Sequence, residues 1–343
     1  MEIIMNSGKS AVIGKESRPD ETDAKKELCT EKEGVFEDIL ADGFSAWLNA
    51  PVDYARLCGI CEAIADRYPH VRLTYIGNSL LSRKIPMLSI GDGEKSVFYI
   101  GTHHASEWIC APVLLKFIYE AADYEQKGGY VYGSSLGFLC RQRTLHVLPM
   151  LNVDGAELQI HNCDAQNPLW ERLVRANGGE DFSHWQANGK GVDLNHNYNY
   201  GFARYKMLEQ SMGIVGCSPT RFSGEYAESE PEVAAVCNFL RYTAPALVLS
   251  LHTQGEVIYA PNAEKIKHGT EIADRLSAMT GYRREIPCAE ACYGGLCDWY
   301  TDEMHLPAYT LECGIGENPL PLSQAQSIYG RVRQALFVSP MLV

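Results

Sequence analysis

The sequence predicts one large α/β domain whose central sheet mixes parallel and antiparallel strands and is covered by helices on both faces. The chain has 343 residues, 46% of them hydrophobic, which is enough to build one large core. Short apolar runs of strand length alternate with longer segments of helical periodicity, a pattern that favours this fold class. We find neither an internal repeat nor a low-complexity linker that would divide the chain.

Composition and periodicity predict the N-terminal elements. Residues 1–34 are polar and mixed in charge, which predicts a flexible tail, with the folded domain spanning residues 35–343. A helix is predicted over residues 52–68. Cys58 and Cys61 lie on its apolar side, where thiols pack in the core more often than they bind a metal.

Strands are predicted over residues 71–76, 84–90 and 96–100, and we expect them to form an antiparallel meander. The last of these strands leads into a helix over residues 110–122, where apolar side chains recur at helical spacing. A further strand is predicted over residues 144–148.

In the second half of the chain, Ser229 and Glu232 have the spacing of a capping box, with Pro231 in the first turn. They predict a helix that ends near Tyr242. The remaining predicted elements are a strand over residues 246–251, a helix over 263–280, a short helix over 296–305, a strand over 308–311 and a closing helix over 323–337.

Charge and composition argue against several classes of partner. The net charge of −13 disfavours nucleic acid and anionic membranes, because both are bound by basic patches. No apolar run is long enough to span a bilayer. The N-terminus lacks a basic segment followed by an apolar one, and we interpret the twelve cysteines as reduced thiols, so we expect a cytoplasmic protein.

A pattern of metal-binding residues lies between the strand at 96–100 and the helix at 110–122. His104 and Glu107 stand three residues apart on this connection, at the kind of sheet edge where α/β proteins bind ligands. An imidazole and a carboxylate are two of the three donors of a His₂Glu zinc site. The ordinary alternative is an exposed histidine beside a first-turn glutamate that the helix dipole favours.

Two further strands end in residues of related chemistry. His252 follows the strand at 246–251 and would complete a three-ligand zinc set with one position left for water. Glu312 follows the strand at 308–311, where an unpaired buried carboxylate would be costly unless it faces a cleft and transfers protons. Each residue alone has a structural explanation, but three apolar strands that end in this way predict one hydrolytic zinc site.

The motifs and their order resemble the M14 zinc carboxypeptidase family, and within it the γ-D-glutamyl-L-diamino acid (meso-diaminopimelate) endopeptidase I branch. The similarity extends from about residue 71 to the C-terminus. The matching segments are residues 104–108, 152–155, 191–195, 252–259, 294–299, 310–314 and 318–321.

The resemblance implies a role for each matching residue. It implies that His104, Glu107 and His252 bind one Zn²⁺ ion and that Glu312 is the general base and proton shuttle. It also implies that Asp193 accepts a hydrogen bond from the first histidine and thereby orients it.

The resemblance also implies a substrate pocket. Asn195 matches a substrate-binding asparagine, and Cys297 matches the lining of the pocket for the residue after the cleaved bond. Because Cys297 is not acidic, a C-terminal Lys or Arg is not the expected substrate residue. Tyr293 is interpreted either as a mobile phenol that reaches substrate or as a packing residue.

Two positions depart from the family pattern. His196 stands where relatives have an arginine that binds the terminal carboxylate, and an imidazole cannot form that bidentate contact. Gln186 stands where the branch has a cation that stabilises the oxyanion, and loss of one such donor costs ~3 kcal/mol. The candidates to replace this cation are Arg172, Arg175 and Lys190.

We therefore expect a zinc peptidase that hydrolyses the γ-D-glutamyl–diaminopimelate amide of peptidoglycan stem peptides, an activity suited to cell-wall recycling. One alternative is a conventional carboxypeptidase that removes neutral C-terminal residues. A second alternative is a protein that binds zinc and muropeptides without turnover; Gln186 and His196 favour it, and Glu312 argues against it.

Overall fold

The computed structural model describes residues 47–287 and 291–343, and ten strands and ten α-helices lie wholly within these ranges. The strands are β1 (Val71–Asn78), β2 (Lys84–Ile90), β3 (Lys95–Gly101), β4 (Tyr130–Val131), β5 (Ser134–Ser135), β6 (Arg143–Leu148), β7 (Leu247–His252), β8 (Val257–Tyr259), β9 (Arg283–Glu285) and β10 (Ala308–Glu312). The helices are α1 (Tyr54–Arg67), α2 (Cys110–Gln126), α3 (Leu136–Gln142), α4 (Val153–His161), α5 (Trp170–Asn177), α6 (Phe202–Ser211), α7 (Pro231–Thr243), α8 (Gly269–Thr280), α9 (Leu296–Met304) and α10 (Ala325–Val338). The predicted tail and the predicted start of the domain near residue 35 lie outside the described residues.

An eight-stranded sheet runs through the domain in the order β1-β2-β6-β3-β7-β10-β8-β9. Its four central strands, β6, β3, β7 and β10, are parallel, whereas β1 and β2 at one side and β8 at the other add antiparallel pairs. β4 and β5 form a separate hairpin. The predicted mixed sheet is therefore confirmed.

Neighbouring residues of β3 show that helices cover both faces of the sheet. The ring centroid of Phe98 is 5.4 Å from that of Phe239 on α7, while the ring centroid of Tyr99 is 5.1 Å from that of Phe117 on α2. Because successive side chains of a strand point to opposite faces, α2 and α7 lie on opposite sides of the sheet. Strands covered on both sides are mostly apolar and buried, as β3 and β7 are, with Lys95 as the one exposed residue of the two.

The predicted meander is wrong in its third strand. β1 and β2 pair antiparallel as predicted, but β6 lies between β2 and β3, and β3 runs parallel to both β6 and β7. Only the first residue of β3, Lys95, is exposed. A strand that is apolar on both faces belongs in the interior of the sheet, and this favours the central position.

The predicted capping box is also wrong. Glu230 rather than Ser229 is the N-cap of α7, and its side chain makes no capping hydrogen bond. The Ser229 hydroxyl donates to Glu230, and the Glu232 carboxylate accepts from the backbone N–H of Leu80 at 2.9 Å. Both side chains therefore serve contacts outside the start of the helix, which sequence spacing alone does not reveal.

The helix predicted over residues 263–280 is interrupted. A 3₁₀ turn at Ala263–Lys265 precedes α8, which begins at Gly269. A Cβ at Gly269 would lie 2.4 Å from the Ala263 carbonyl oxygen, so glycine permits this close approach. The other predicted helices and strands are present: β2 has its predicted ends, and the rest begin or end within a few residues of the prediction.

The two cysteines of the early helix are thiols on α1, as predicted. Cys61 is buried and Cys58 is half-buried, and both are reduced thiols. Burial raises the pKa of the Cys61 thiol well above its usual range, so this sulfur is an uncharged core group. In residues 47–287 and 291–343 we find no helix with both the length and the apolarity required to cross a bilayer.

Candidate metal centre and active site

Three neighbouring parallel strands bring the candidate residues to one edge of the sheet. Glu312 at the end of β10 is paired in register with His252 at the end of β7. On the other side of β7, β3 ends at Gly101 and leads into the turn that carries His104 and Glu107. The carboxyl ends of parallel strands are a usual position for ligands in α/β sheets.

The Glu107 carboxylate lies between two imidazoles. Its Oε1 is 2.9 Å from His104 Nδ1, and its Oε2 is 2.9 Å from His252 Nδ1. Burial alone would raise the pKa of Glu107, but the two imidazoles outweigh it and hold the pKa at about 2. The group is therefore a charged carboxylate at neutral pH.

This donor set fits a zinc ion. One ligand atom from each of His104, Glu107 and His252 lies within 4.8 Å of the other two. Two imidazole nitrogens and one carboxylate oxygen are a usual catalytic zinc set, with a fourth position left for water or substrate. Within the described residues, the buried His252 ring makes one hydrogen bond, between its Nδ1 and Glu107 Oε2. Its Nε2 has no hydrogen-bond partner among these residues.

The Asp193 carboxylate contacts the opposite nitrogen of the first histidine. Its Oδ1 is 3.3 Å from His104 Nε2, and its Oδ2 accepts a hydrogen bond of 2.9 Å from the backbone N–H of Arg221. Burial opposes ionisation, but the nearby imidazoles of His104 and His196 hold the pKa of Asp193 well below its usual range. A charged partner at Nε2 directs Nδ1 of His104 towards Glu107, which supports an orienting role for Asp193.

Glu312 differs from these two carboxylates in its proton affinity. Burial raises the pKa of Glu312 to about 7, an effect that His252 opposes and Glu107 reinforces. A carboxyl group that titrates near neutrality can both accept and release a proton under working conditions.

Two other histidines near the centre are engaged in internal contacts. His103 is buried, its Nε2 lies 2.9 Å from the Tyr198 hydroxyl, and burial lowers its pKa well below the usual range. The Nδ1–H of His196 donates to the Tyr293 carbonyl at 2.8 Å, and its ring stacks on Tyr205 at 3.9 Å. Burial also lowers the pKa of His196, so this residue does not supply a permanent cation.

The residues predicted to line the substrate pocket meet at the N-terminus of α9. Asn195 Oδ1 accepts a hydrogen bond of 3.2 Å from the first backbone N–H of the helix. Cys297 is buried against Thr310, and burial raises its pKa to about 12, so its thiol is uncharged. The Tyr293 ring lies so close to Gly201 that a Cβ there would be 2.4 Å from it, which favours the packing interpretation.

The structure does not bring the three oxyanion candidates to the His–Glu–His group. Lys190 Nζ lies 3.0 Å from Glu230 Oε1. Arg172 and Arg175 are exposed on α5, where they line a cavity of about 390 Å³ together with Cys217. Within residues 47–287 and 291–343, none of these cations contacts a candidate metal ligand.

Gln186, which replaces the expected cation, does lie beside the centre. Its carbonyl accepts a hydrogen bond of 2.9 Å from the backbone N–H of Ala105, the residue after His104. Its side-chain Oε1 accepts from the Thr220 hydroxyl at 2.8 Å. An uncharged amide thus occupies the position where the family pattern predicts a positive charge.

Sequence reasoning missed two asparagines that support the centre. The amide of Asn152 is buried and donates to the His103 carbonyl at 3.0 Å. The amide of Asn318 donates to the Thr253 carbonyl at 2.9 Å and lies 3.4 Å from Glu107 Oε1. Both residues belong to segments that match the family motifs, and this match was the available signal.

Comparison with known proteins gives concordant results. The model of the zinc carboxypeptidase family matches residues 57–327. The chain is 34% identical over 280 residues to γ-D-glutamyl-L-diamino acid endopeptidase 1 of Lysinibacillus sphaericus, covering 81% of this chain and 69% of that protein. It is 32% identical to the uncharacterized protein YqgT of Bacillus subtilis, covering 80% and 74%.

Solved structures have a similar fold at low sequence identity. Carboxypeptidase A from Helicoverpa armigera matches with a TM-score of 0.65 at 18% identity, covering 90% of this chain and 79% of that one. Bovine thrombin-activatable fibrinolysis inhibitor matches with a TM-score of 0.61 at 21% identity, covering 86% and 96%.

Proposed function

The chain belongs to the zinc carboxypeptidase family and is a zinc metallopeptidase, and from this premise we propose that it hydrolyses the amide between γ-D-glutamate and a diamino acid in peptidoglycan-derived peptides. The observation that carries this substrate is the 34% identity over 280 residues to a protein named γ-D-glutamyl-L-diamino acid endopeptidase 1. The neutral, stacked His196 supports the proposal, because no arginine at that position is available for the free C-terminus of an ordinary peptide.

In the proposed site, His104, Glu107 and His252 would hold the zinc ion. When bound, zinc supplies a Lewis acid that polarises a carbonyl group and acidifies water. The Glu107 carboxylate is charged, as a ligand must be, because the flanking imidazoles lower its pKa. Asp193 contacts Nε2 of His104 and would keep the Nδ1 side of this ring turned towards the other two ligands.

Glu312 carries the proton in the proposed reaction. It accepts a proton from the attacking water and delivers it to the nitrogen of the leaving amino group. Its pKa of about 7, which burial raises from the ordinary carboxyl range, allows both steps near neutral pH. The amide hydrogens of Asn195, whose oxygen accepts a hydrogen bond from the start of α9, would bind the leaving amino acid.

The experiment is a comparison of two substrates with the zinc-loaded protein. We expect release of diaminopimelate from L-Ala-γ-D-Glu-meso-diaminopimelate, measured by chromatography of the free amino acid. A blocked dipeptide with a neutral C-terminal residue serves as the second substrate. Rapid hydrolysis of the dipeptide alone would identify a conventional carboxypeptidase. Binding of the muropeptide without turnover of either substrate would identify a binding protein.

A further inference from the structure

The carboxylate of Asp298 has no role in the mechanism described so far. Asp298 lies in the first turn of α9, one residue after Cys297. Its Oδ2 is 3.1 Å from the position that a Cβ would take on Gly295, so the carboxylate lies directly over the glycine turn that precedes the helix. Asn195 Oδ1 lies 3.8 Å from the same position. Asp298 and the proposed substrate-binding Asn195 therefore approach the same turn.

Among residues 47–287 and 291–343, this carboxylate lacks a positive partner. In the described part of the chain, no Lys, Arg or His forms an ion pair with Asp298. Burial raises the pKa of Asp298 to about 7, and a hydrogen bond from its own backbone N–H offsets this effect only in part. A partly buried carboxylate without a cationic partner gains more from binding a cation than a solvated one does, because water compensates its charge less fully.

We propose that Asp298 is a specificity-determining residue that binds the side-chain ammonium group of the diamino acid on the leaving-group side of the cleaved bond. This inference rests on the proposed function. A diamino acid that is acylated through one amino group retains the second as an ammonium group, and this group distinguishes it from neutral amino acids of the same length. Asp298 supplies the acidic side chain that Cys297 lacks, so the earlier expectation against basic residues is revised.

The neighbouring groups leave this role to Asp298. Cys297 is an uncharged thiol, and Thr310 already donates its hydroxyl hydrogen to that thiol at 3.4 Å. Asn195 uses its side-chain oxygen for the start of α9, which leaves its amide hydrogens as donors for the carboxylate of the amino acid. The Asn195 amide would therefore bind the carboxylate of the ligand, and the Asp298 carboxylate would bind its ammonium group.

The test compares L-Ala-γ-D-Glu-L-lysine with L-Ala-γ-D-Glu-L-norleucine, whose side chain lacks only the ammonium group. We expect kcat/KM for the lysine peptide to be at least about tenfold higher, mainly through KM, because a site built for a polar group rejects the analogue that leaves it unpaired. Asp298→Asn should reduce this ratio to about one. Asp302→Asn, an exposed change of the same charge on the same helix, should leave the ratio unchanged.

The same pair of residues is also tested at the end of ordinary α-linked blocked dipeptides. If only the α-linked pair is cleaved and lysine is preferred, the proposed γ-glutamyl substrate is wrong and the assignment of Asp298 holds. Equal rates for lysine and norleucine with the wild-type protein, in whichever linkage is cleaved, would overturn the assignment. It is also overturned if Asp298→Asn lowers thermal stability while the ratio stays at its wild-type value, which would give the residue a structural role only.

Discussion

The carboxyl groups of Glu107 and Glu312, on adjacent parts of the sheet edge, have pKa values shifted in opposite directions. The imidazoles of His104 and His252 hold the pKa of Glu107 at about 2, whereas burial raises that of Glu312 to about 7. The difference arises because Glu107 accepts two short contacts from nitrogen atoms, while the surroundings of Glu312 chiefly remove water. Such a separation suits one permanently charged ligand and one group that exchanges protons.

Glu312→Gln tests this division of roles. The substitution keeps the size of the side chain and removes its titration, so we expect kcat to fall by about 10²- to 10⁴-fold. The zinc content, measured by atomic absorption, should stay at one ion per chain because the three proposed ligands are intact. Glu317→Gln, an exposed change of the same charge nearby, is the control. Unchanged turnover in Glu312→Gln would refute the assignment.

Single residues at strand ends could be predicted because an apolar run fixes where its strand ends. His252 and Glu312 are examples: each follows such a run, and the two face each other in the sheet. The contact between Asn318 and Glu107 could not be predicted in this way, since 211 residues separate them. The orientation of Gln186 towards Thr220 likewise depends on the folding of loops, which have no periodicity to interpret.

At the scale of elements, the start of α7 shows that residues with the spacing of a capping box can instead make contacts with distant parts of the chain. Glu232 in its first turn is fully buried, and its Oε1 accepts from the backbone N–H of Leu80 on the loop between β1 and β2. Its Oε2 has no partner within the described residues. Burial raises the pKa of Glu232 to about 7, and the nearby carboxylates of Asp154 and Glu230 act in the same direction. Glu232 thus connects α7 to the loop between β1 and β2, and its carboxyl group binds a proton more tightly than an ordinary glutamate does.

This preference makes stability depend on pH. The pKa of Glu232 rises from 4.5 to about 7 on folding, so the folded state binds the proton more tightly. Its contribution to stability is present at low pH and is lost as pH rises through about 7. Relative to wild type, Glu232→Gln should gain about 2–3 kcal/mol in free energy of unfolding between pH 5 and pH 8.

Urea unfolding of both proteins at the two pH values measures this gain. Glu264→Gln, which changes an exposed glutamate, should show no such trend. A difference between Glu232→Gln and wild type that is constant over the pH range would contradict the assignment of the shift to Glu232.

The strand and helix content was predictable where elements are long, and the pairing was not. β2 was predicted with its observed ends, and α2 from its helical spacing, because periodicity is a local property. The insertion of β6 between β2 and β3 depends on contacts between residues far apart in sequence. Short elements such as α5 and β9 carry too few turns or residues for a clear period.

At the scale of the whole molecule, the candidate metal centre connects distant parts of the chain. Glu107 and His252 are 145 residues apart in sequence and are brought together by the pairing of β3 with β7. Asn318, from a third segment, contacts the same carboxylate. The donors therefore converge only when the sheet is assembled, so zinc binding is coupled to folding. The net charge of −13 adds a general attraction for a divalent cation.

This coupling predicts that zinc stabilises the folded protein as well as enabling catalysis. A ligand that binds only the folded state raises the free energy of unfolding by about 2.7 kcal/mol when its concentration is 100 times Kd. We therefore expect removal of zinc by a chelator to abolish hydrolysis and to lower Tm by a few degrees, and readdition of zinc to restore both. His252→Ala should lose the zinc-dependent rise in Tm, whereas His268→Ala, which changes an exposed histidine, should keep it. A full zinc-dependent rise in His252→Ala would show that the ion binds elsewhere and that the three strands do not form the metal centre.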